Sequence, residues 1–280
     1  MKTQTLNNGV EIPTLGYGVY QITDLKECQK CVEDALEVGY RHIDTASFYQ
    51  NEEAVGNALK NISHIKREEI FVTTKVWINN ISYDGVKRAF DASMKKLQLD
   101  YLDLYLIHQP YNDCFGTWKA MEELYTEGII RSIGVSNFYP SKLMDFYLNT
   151  SIKPMVNQIE INPLHQQNNA ISLMNELGIK YEAWAPFAEG KNNFFECPTL
   201  VKIGSKYNKT SAQVALRWNL QKGAIVLSKT THKERMQENL NIFDFELSEE
   251  DMLEIGKFDT GKSAFFEHTD PKVVQFLHTL

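Results

Sequence analysis

Four residues that can donate, accept or stabilise a proton stand at or just after the ends of short apolar segments. They are Asp44, Tyr49, Lys75 and His108. A tyrosine hydroxyl has a pKa of about 10 in water, so it donates a proton near neutral pH only if its surroundings lower that value. A lysine that a carboxylate keeps charged would stabilise the phenolate and lower this pKa. The pattern therefore favours general acid catalysis by Tyr49, with a neutral His108 orienting the group that receives the proton.

A regular alternation of apolar and amphipathic segments surrounds these residues. Strand-like segments occupy residues 15–20, 42–46, 70–76, 102–108, 131–137, 155–161, 180–185 and 224–229. Helical periodicity occupies residues 24–38, 51–59, 82–97, 116–127, 140–148, 168–177 and 211–221, with further helix within 233–257. Buried strands joined by helices pair in parallel, and eight such units close into a (β/α)₈ TIM barrel of the α/β class. Residues 3–12, with a turn at Asn7-Asn8-Gly9, predict a β-hairpin before the barrel.

A doubly wound nucleotide-binding sheet is the main alternative for this alternation. Such sheets normally carry a G-x-G-x-x-G motif after the first strand. Gly16 and Gly18 stand in the first predicted strand, but no third glycine follows at the required spacing. The barrel is therefore favoured, and the two glycines predict a place where a ligand lies close to the backbone.

Polar side chains end most of the predicted strands. In a barrel, the carboxyl ends of all the strands meet at one rim, where active sites are built. The residues at these ends are Asp44, Lys75, His108, Ser136 with Asn137, Gln158, Trp184 and Lys229. One such residue can anchor a loop, and Asp44 with Lys75 can form a purely structural ion pair. So many at one rim favour an enzyme active site.

Several motifs resemble those of the aldo-keto reductases and together cover nearly the whole chain. They are Arg41-His-Ile-Asp-Thr-Ala46, Leu104-Tyr-Leu-Ile-His108, Ile133-Gly-Val-Ser-Asn-Phe138, Val156-Asn-Gln158 and a basic segment after Lys229. The resemblance is to bacterial members with a short C-terminal loop, similar to the diketogluconate reductases. It implies one domain over residues 1–280, a monomer, and a catalytic tetrad formed by Asp44, Tyr49, Lys75 and His108. Tyr49 would give a proton to a carbonyl oxygen while a hydride reaches the carbonyl carbon.

The resemblance also implies NADPH as the hydride donor. Ser136, Asn137 and Gln158 match positions that contact the nicotinamide carboxamide. Trp184 matches the aromatic residue that stacks on the nicotinamide ring. As a lone tryptophan, Trp184 would equally suit a core position.

A basic segment near the end of the chain resembles the family's binding site for the adenosine 2′-phosphate. Lys229, Thr230 and Arg235 match the phosphate ligands, and Glu238 and Asn239 match the adenine-side positions. The family usually has a proline before the lysine and often a serine after it. This chain has a serine before the lysine and Thr230 after it, so the hydroxyl is retained. A solvated basic helix start is the alternative interpretation.

Aromatic residues after the early strands predict the substrate pocket. They are Tyr20, Phe48, Trp77 and Tyr111, which join His108 in a wall suited to aldehydes and apolar ketones. Each could equally be a packing residue. Gln109 stands where family members often have tryptophan, so this wall is expected to be more polar. The tail after Lys262 predicts a small lid and a permissive pocket, which leaves small dicarbonyls, sugar-derived ketones and aromatic aldehydes open.

Composition and charge exclude several other classes of protein. With 29 basic and 36 acidic residues, the net charge of −7 argues against general binding to nucleic acids or anionic membranes. The N-terminus has no apolar signal segment and the chain no membrane-length apolar run, so a cytoplasmic location is expected. Cys28 and Cys31 form a CxxC motif, but they lie inside a helical pattern, which disfavours a redox or metal site.

Three functions other than carbonyl reduction are compatible with parts of the sequence. A class I aldolase could use Lys75 to form a Schiff base on the same fold. A protein could also keep this fold in a binding or structural role without turnover. Residues 256–263 match the G-x-x-x-x-G-K-S phosphate loop of nucleoside triphosphatases, but that loop needs a strand before it and a helix after it. The helical pattern before this match makes a chance occurrence the better interpretation.

Overall fold

The computed structural model describes residues 2–280, and its centre is a closed barrel of eight parallel strands. The barrel strands follow one another in chain order, and the last pairs with the first. An antiparallel pair precedes them. The strands are β1 (Thr3–Thr5), β2 (Glu11–Pro13), β3 (Leu15–Gly18), β4 (His42–Asp44), β5 (Phe71–Val76), β6 (Leu104–Ile107), β7 (Ile133–Ser136), β8 (Val156–Glu160), β9 (Lys180–Trp184) and β10 (Ile225–Ser228). The predicted (β/α)₈ barrel is confirmed.

The barrel strands are buried on both faces. Every residue of β4, β5 and β6 is buried, because helices cover the outside and side chains from other strands fill the inside. Each barrel strand lies within its predicted segment but ends earlier or begins later. Residues just beyond the ladders, such as His108 and Asn137, leave the strand direction and form the rim. The predicted strands are therefore too long by one or more residues at their ends.

Helices separate the strands and carry recognisable end signals. They are α1 (Leu25–Val38), α2 (Glu52–Asn61), α3 (Tyr83–Leu97), α4 (Cys114–Thr126), α5 (Pro140–Asn149), α6 (Asn168–Glu176), α7 (Pro198–Tyr207), α8 (Ser211–Gln221), α9 (Lys233–Leu240), α10 (Glu249–Gly256) and α11 (Pro271–Leu277). Asp24 caps α1 by accepting from the Glu27 amide, and Ser82 caps α3. Gly39 ends α1 at a φ of 118°, which suits glycine.

The predicted N-terminal hairpin is formed by β1 and β2 and lies at the amino ends of the barrel strands. Its turn has Gly9 at a φ of 86°. Asn7 Nδ2 donates to the carbonyl oxygen of Pro154 at 3.1 Å, and Asn8 Nδ2 donates to that of Arg131 at 2.9 Å. These two carbonyls stand just before β8 and β7. The hairpin therefore covers the end of the barrel opposite the rim.

Three helical segments had no clear signal in the sequence. The segment after β9, Ala188–Glu196, is a 3₁₀-helical region. It is interrupted by residues with a left-handed backbone, such as Asn192 and Asn193. Helix α7 follows it directly. In the tail, Asp270 accepts from the Lys272 amide and caps α11. The tail after Lys262 therefore contains a helix and reaches back to the rim with Leu280, and the small lid stays a prediction.

The fold also shows the structural context of two remaining sequence motifs, the phosphate-loop match and the CxxC motif. Residues 256–263 follow helix α10 rather than a strand, and the Thr260 amide donates to the Leu164 carbonyl oxygen at 2.9 Å. This context supports a chance match to the phosphate loop. Cys28 and Cys31 are buried within α1, and burial raises the pKa of both thiols, that of Cys28 to about 12. Between residues 2 and 280, no α-helix is both long enough and apolar enough to cross a bilayer.

Candidate active site

Asp44, Lys75 and Tyr49 form a chain of contacts at the carboxyl ends of β4 and β5. Lys75 Nζ donates to Asp44 Oδ1 at 2.6 Å and to the Thr45 carbonyl oxygen at 2.9 Å. It also makes a long hydrogen bond of 3.5 Å to Tyr49 Oη. Lys75 is fully buried. The structure therefore places the predicted acid directly beside the predicted ammonium group.

The pKa of Tyr49 runs opposite to the expectation. Burial raises it well above its ordinary value of 10.0, and Asp44, Tyr20 and Glu182 raise it further. Asp44 lies 2.6 Å from Lys75 Nζ and offsets its charge, so the ammonium group does not compensate for the loss of water around the phenol. The predicted lowering of this pKa is therefore wrong in this structure. Tyr49 holds its proton throughout the neutral range, which is the state a proton donor requires.

His108, the fourth residue of the predicted tetrad, lies next to Tyr49. The two ring centroids are 5.6 Å apart and the ring planes are nearly perpendicular. Burial lowers the pKa of His108 well below 6.5, and Lys75 and His268 lower it further. His108 is therefore neutral near pH 7, as expected. A neutral imidazole carries one N–H donor that can point at an oxygen atom.

Asp44, Tyr49 and His108 face a cavity of about 640 Å³ at the rim, whereas Lys75 lies behind its wall. The cavity is lined largely by aromatic rings from the strand ends, from the segments that follow the strands and from the tail. These rings belong to Tyr20, Phe48, Trp77, Trp184, Phe187, Phe195, Phe265, Phe266 and Phe276. A mostly apolar cavity with a few polar groups at one end is the usual form of a small-molecule site.

The residues predicted to hold the nicotinamide all line this cavity: Ser136, Asn137, Gln158 and Trp184. They are fixed by bonds among themselves. Trp184 Nε1 donates to Asn137 Oδ1 at 3.0 Å, and Asn137 Nδ2 donates to the His108 carbonyl oxygen at 3.0 Å. Ser136 Oγ donates to the Gln158 carbonyl oxygen at 2.9 Å. The structure therefore brings this predicted group together and ties it to the backbone of His108.

The residues predicted at the phosphate and adenine end are more scattered. Lys229 is exposed and lines the cavity, whereas Thr230, Arg235, Glu238 and Asn239 do not line it. Thr230 is buried, and its Oγ1 accepts from the His232 amide at 3.2 Å. Glu238 Oε1 accepts from Thr210 Oγ1 at 2.7 Å, and Asn239 is buried. Arg235 is exposed on α9, where its guanidinium group is accessible to an anion.

Three of the four predicted aromatic substrate residues, Tyr20, Phe48 and Trp77, line the cavity wall, and the fourth does not. The ring centroids of Tyr20 and Tyr49 are 4.9 Å apart, and those of Trp77 and His108 are 5.0 Å apart. Tyr111 is absent from the wall of this cavity, as described by residues 2–280. Its hydroxyl donates to the His268 carbonyl oxygen at 2.7 Å and so holds the tail in place. Tyr111 therefore anchors the tail in this structure, and its contact with substrate stays a prediction.

The sequence matches the model of the Aldo/keto reductase family over residues 14–260. The chain belongs to this family. It is 46% identical over 254 residues to the glyoxal reductase of Bacillus subtilis (strain 168), covering 90% of this chain and 91% of that protein. It is 43% identical over 260 residues to the methylglyoxal reductase DkgA of Escherichia coli (strain K12), covering 92% and 93%. The structure matches a Bombyx mori aldo-keto reductase in complex with NADP at a TM-score of 0.91, with 35% identity and coverage of 98% and 96%.

The two glycines of β3 have different tasks in this aldo-keto reductase. A Cβ atom on Gly16 would lie 2.6 Å from a Leu227 side-chain carbon and 2.7 Å from His42 Nδ1. Gly16 is therefore needed for packing inside the barrel, and its predicted role beside a ligand is wrong. Gly18 lines the cavity, and a Cβ atom there would meet no described atom within 4 Å. Only Gly18 fits the predicted approach of a ligand.

Sequence reasoning missed several residues at the rim. Glu189 lines the cavity and accepts a hydrogen bond of 3.3 Å from Gln21 Nε2, which links the segment after β9 to the segment after β3. Phe187 and Phe195, from the same segment, also line the cavity. The available signal was Gly190 followed by Asn192 and Asn193, since these residue types tolerate the left-handed backbone that folds the segment over the rim.

Gln109 has an unusual environment for an amide in a cavity wall. It is 5% exposed, and its Oε1 is buried without a hydrogen-bond partner among residues 2–280. A buried acceptor left unbonded costs about 1–3 kcal/mol. We expect Gln109→Leu, which has a similar volume, to raise the free energy of unfolding by about 1 kcal/mol in urea titrations of the ligand-free protein.

Gln166→Leu is the matched control for this change. Gln166 is also buried, but its Nε2 donates to the carbonyl oxygens of Pro163 and Ile255 at 3.0 Å and 2.9 Å. We expect this variant to lose about 1–3 kcal/mol, because it strands buried carbonyl groups. Equal destabilisation by both variants would show that Gln109 has a hydrogen-bond partner in the folded protein.

Proposed function

We propose that this aldo-keto reductase uses NADPH to reduce aldehydes and ketones to alcohols. The observation that carries the proposal is the position of the Tyr49 hydroxyl, which faces the cavity, lies 3.5 Å from Lys75 Nζ and neighbours the neutral imidazole of His108. This combination supplies a proton and a hydrogen bond to the same oxygen atom. NADPH would supply the hydride that the carbonyl carbon needs.

The chain's own residues divide the work of proton transfer. His108 donates a hydrogen bond to the carbonyl oxygen and orients it towards Tyr49. Tyr49 then gives its proton to that oxygen as negative charge develops there. The phenolate left behind lies beside Lys75, whose positive charge stabilises it. Asp44 fixes Lys75 in this position through the bond of 2.6 Å.

The groups at the rim fit a nicotinamide dinucleotide. Trp184 offers a flat ring at one side of the cavity, and its edge is fixed by Asn137. Gln158 uses Nε2 for bonds inside the barrel, so its Oε1 remains as the acceptor for a carboxamide N–H group. Lys229 in the cavity wall and Arg235 on α9 place positive charge along the segment predicted to hold the 2′-phosphate.

Small α-dicarbonyl compounds are the substrates that we favour. Two relatives that are more than two-fifths identical to this chain are named for the reduction of glyoxal and methylglyoxal. Gln109 brings an amide into the otherwise aromatic wall, which suits a second oxygen atom next to the reacting carbonyl. Sugar-derived ketones and aromatic aldehydes remain second candidates, since the aromatic wall also suits larger carbonyl compounds.

A Schiff-base aldolase is disfavoured by the environment of Lys75. Such an enzyme needs a neutral amine that faces the substrate. Here Nζ is fully buried, bonds to Asp44, the Thr45 carbonyl oxygen and Tyr49, and lies behind the cavity wall. Borohydride treatment with a carbonyl compound is therefore expected to leave Lys75 unmodified.

The test of the proposed function is the oxidation of NADPH, followed by absorbance, with a panel of carbonyl compounds. The panel contains glyoxal, methylglyoxal, an aromatic aldehyde and a ketose. We expect turnover with the dicarbonyls and slower turnover with NADH. Binding of NADPH, measured by quenching of tryptophan fluorescence, without oxidation by any member of the panel would contradict the proposal. The single domain over residues 1–280, the monomeric state and the cytoplasmic location remain predictions.

Arg235→Ala tests the proposed contact with the 2′-phosphate. A hydrogen bond between a guanidinium group and a phosphate contributes about 1.5–3 kcal/mol, so we expect the Kd for NADPH to rise about 10- to 100-fold. The Kd for NADH should change less than about twofold, because NADH lacks this phosphate. Isothermal titration calorimetry with both nucleotides measures the difference.

Lys233→Ala is the control for loss of positive charge on the same helix. Lys233 Nζ is paired with Asp34 at 2.9 Å and also with Glu37, so its charge is already engaged. We expect this variant to bind NADPH like the wild type. Equal losses of NADPH and NADH affinity in Arg235→Ala would remove the proposed phosphate contact.

A further inference from the structure

A second carboxyl group, that of Glu182, lies beneath the tetrad inside the barrel. Glu182 is fully buried in β9, in register with Gln158 of β8. Gln158 Nε2 donates to Glu182 Oε2 at 2.5 Å and to Asp44 Oδ2 at 2.9 Å. One amide nitrogen therefore joins two buried carboxyl groups, and Asp44 continues the chain to Lys75 and Tyr49.

The positive charge in this cluster does not balance two ionised carboxylates. Lys75 is the ammonium group, and it is bonded to Asp44 at 2.6 Å. The other basic group near Glu182 is His42, whose Nε2 lies 3.6 Å from Glu182 Oε1. Burial and the charge of Lys75 lower the pKa of His42 to about 3, so this ring is neutral. With both carboxyl groups ionised, the buried cluster would carry an uncompensated negative charge, which is costly away from water.

A proton on Glu182 removes this imbalance. Its Oε2 accepts from Gln158, whereas its Oε1 has no hydrogen-bond partner in the described chain and faces His42 Nε2. Asp44 is the less suitable carrier because its Oδ1 binds the ammonium group directly. Burial and Asp44 raise the pKa of Glu182 to about 8, against the opposing effects of Gln158 and Lys75. Geometry and charge therefore place the proton on the same group.

We propose that Glu182 is a positioning residue of the reductase site, which holds a proton at neutral pH so that its cluster with Asp44 and Lys75 is uncharged and Tyr49 can release its own proton. This inference rests on the proposed function. Glu182 acts through Gln158 and Asp44, since it does not line the cavity described by residues 2–280. It also holds the Gln158 amide with Oε1 left free for a ligand.

The proposal predicts how alkaline pH affects catalysis. When Glu182 loses its proton, its negative charge disfavours formation of a phenolate at Tyr49. This charge is one of the causes that raise the pKa of Tyr49. The groups that face Glu182 are His42 and Asp44 of β4, Lys75 of β5 and Gln158 of β8. The charge of Glu182 also affects the pKa of Tyr49. Among these, Glu182 is the carboxyl group whose pKa lies near 8. Proton donation should weaken as Glu182 ionises.

Glu182→Gln is the decisive variant, because a glutamine has the shape of a protonated glutamate and cannot ionise. We expect the wild type to lose about tenfold in kcat for carbonyl reduction between about pH 7 and about pH 9.5. We expect Glu182→Gln to match the wild type within about twofold at pH 7 and to lose less than about twofold over the same range. The same alkaline decline in both proteins would overturn the proposal. A loss above about tenfold in the variant at pH 7 would also overturn it, because the ionised carboxylate would then be required.

Glu52→Gln is the matched control. Glu52 is equally buried, and its Oε1 accepts from Thr74 Oγ1 at 2.7 Å, but it does not line the cavity or bond to the tetrad. Its removal tests whether losing any buried carboxyl group alters the pH profile. We expect this variant to keep the wild-type decline at alkaline pH. Loss of the decline in Glu52→Gln would show that the effect is not specific to Glu182.

An infrared measurement tests the proton on Glu182 without any turnover. The wild type should show the carbonyl band of a protonated buried carboxyl group at pH 7, and this band should disappear as the pH rises through about 8. Glu182→Gln should lack the band, and Glu52→Gln should retain it. Absence of the band from the wild type overturns the proposal. If the wild type reduces no carbonyl compound, the catalytic role of Glu182 fails with the proposed function, while the band still decides whether Glu182 holds a proton.

Stability gives a third readout with a definite sign. A glutamate has an ordinary pKa of 4.5, and burial raises that of Glu182 to about 8. Between these values the folded protein binds a proton that the unfolded chain has released, so the stabilising effect is complete below the lower value and declines as the pH rises to the upper one. We expect the wild type to lose stability relative to Glu182→Gln across this window. A constant difference between the two proteins would contradict the proposal.

Discussion

Replacement of Tyr49 by phenylalanine is expected to reduce kcat for carbonyl reduction by about 10²–10⁴-fold, because a general acid typically contributes that much. Phenylalanine keeps the ring and its contact with Tyr20, whose centroid lies 4.9 Å away, and removes only the hydroxyl beside Lys75. The affinity for NADPH, measured by calorimetry, should change less than about threefold, since proton donation is separate from cofactor binding. Steady-state kinetics with methylglyoxal measure the loss.

Tyr125→Phe is the control for this experiment. The Tyr125 hydroxyl accepts from Asn8 Nδ2 at 3.5 Å near the N-terminal hairpin, at the opposite end of the barrel from the cavity. We expect it to retain wild-type turnover. If Tyr49→Phe keeps more than about a tenth of the wild-type kcat, Tyr49 is not the proton donor.

Replacement of Lys75 by methionine is expected to damage both catalysis and stability. The phenolate formed at Tyr49 would lose the positive charge beside it, and we expect kcat to fall by about 10²-fold or more. Asp44 would be left buried without its ionic partner, which typically costs about 3–5 kcal/mol. Urea unfolding measures the stability, and NADPH oxidation measures the rate.

The double variant Asp44→Asn with Lys75→Met separates these two effects. It removes both buried charges, so most of the lost stability should return, as replacement of whole buried ion pairs is often well tolerated. Catalysis should not return, because the ammonium group beside Tyr49 is still missing. Recovery of activity together with stability would mean that Lys75 serves only to hold the fold.

The architecture was readable from the sequence because its signals are local and repeated. Each barrel strand is a short apolar segment, and each predicted helix has its own periodicity and end signals, such as Asp24 at the start of α1 and Gly39 at its end. Eight repeats leave few alternatives to a closed barrel. Helix α7 and helix α11 were not predicted from the sequence. The segments before them contain residues such as glycine that are typical of loops.

The clustering of the four predicted catalytic residues was also readable, since Asp44, Lys75 and His108 stand at or next to the ends of consecutive strands and Tyr49 follows β4 closely. The pKa of Tyr49 was not, because its value depends on how completely the phenol is buried and on the compensation of Lys75 by Asp44. Both depend on tertiary packing. The position of Tyr111 was not readable for a similar reason, since its hydroxyl contacts the tail residue His268, which is far away in sequence.

The inward position of Glu182 could have been predicted from the sequence, although this residue was not among those predicted for the site. It stands two residues before Trp184 in the same strand, and alternate residues of a strand face the same side. The inward position of Trp184 therefore implied that Glu182 also points into the barrel. What the sequence could not provide was its bond to Gln158 and the absence of a cation to balance it.

The most direct test of carbonyl reduction follows the hydride itself. Methylglyoxal is incubated with the wild type and with NADPH that carries deuterium at the transferable position of C4, and the alcohol is analysed by mass spectrometry. The proposed function predicts one deuterium on the former carbonyl carbon, and Tyr49→Phe should form almost none of this product in the same time. Alcohol without the label, or NADPH oxidation without any alcohol, would contradict it.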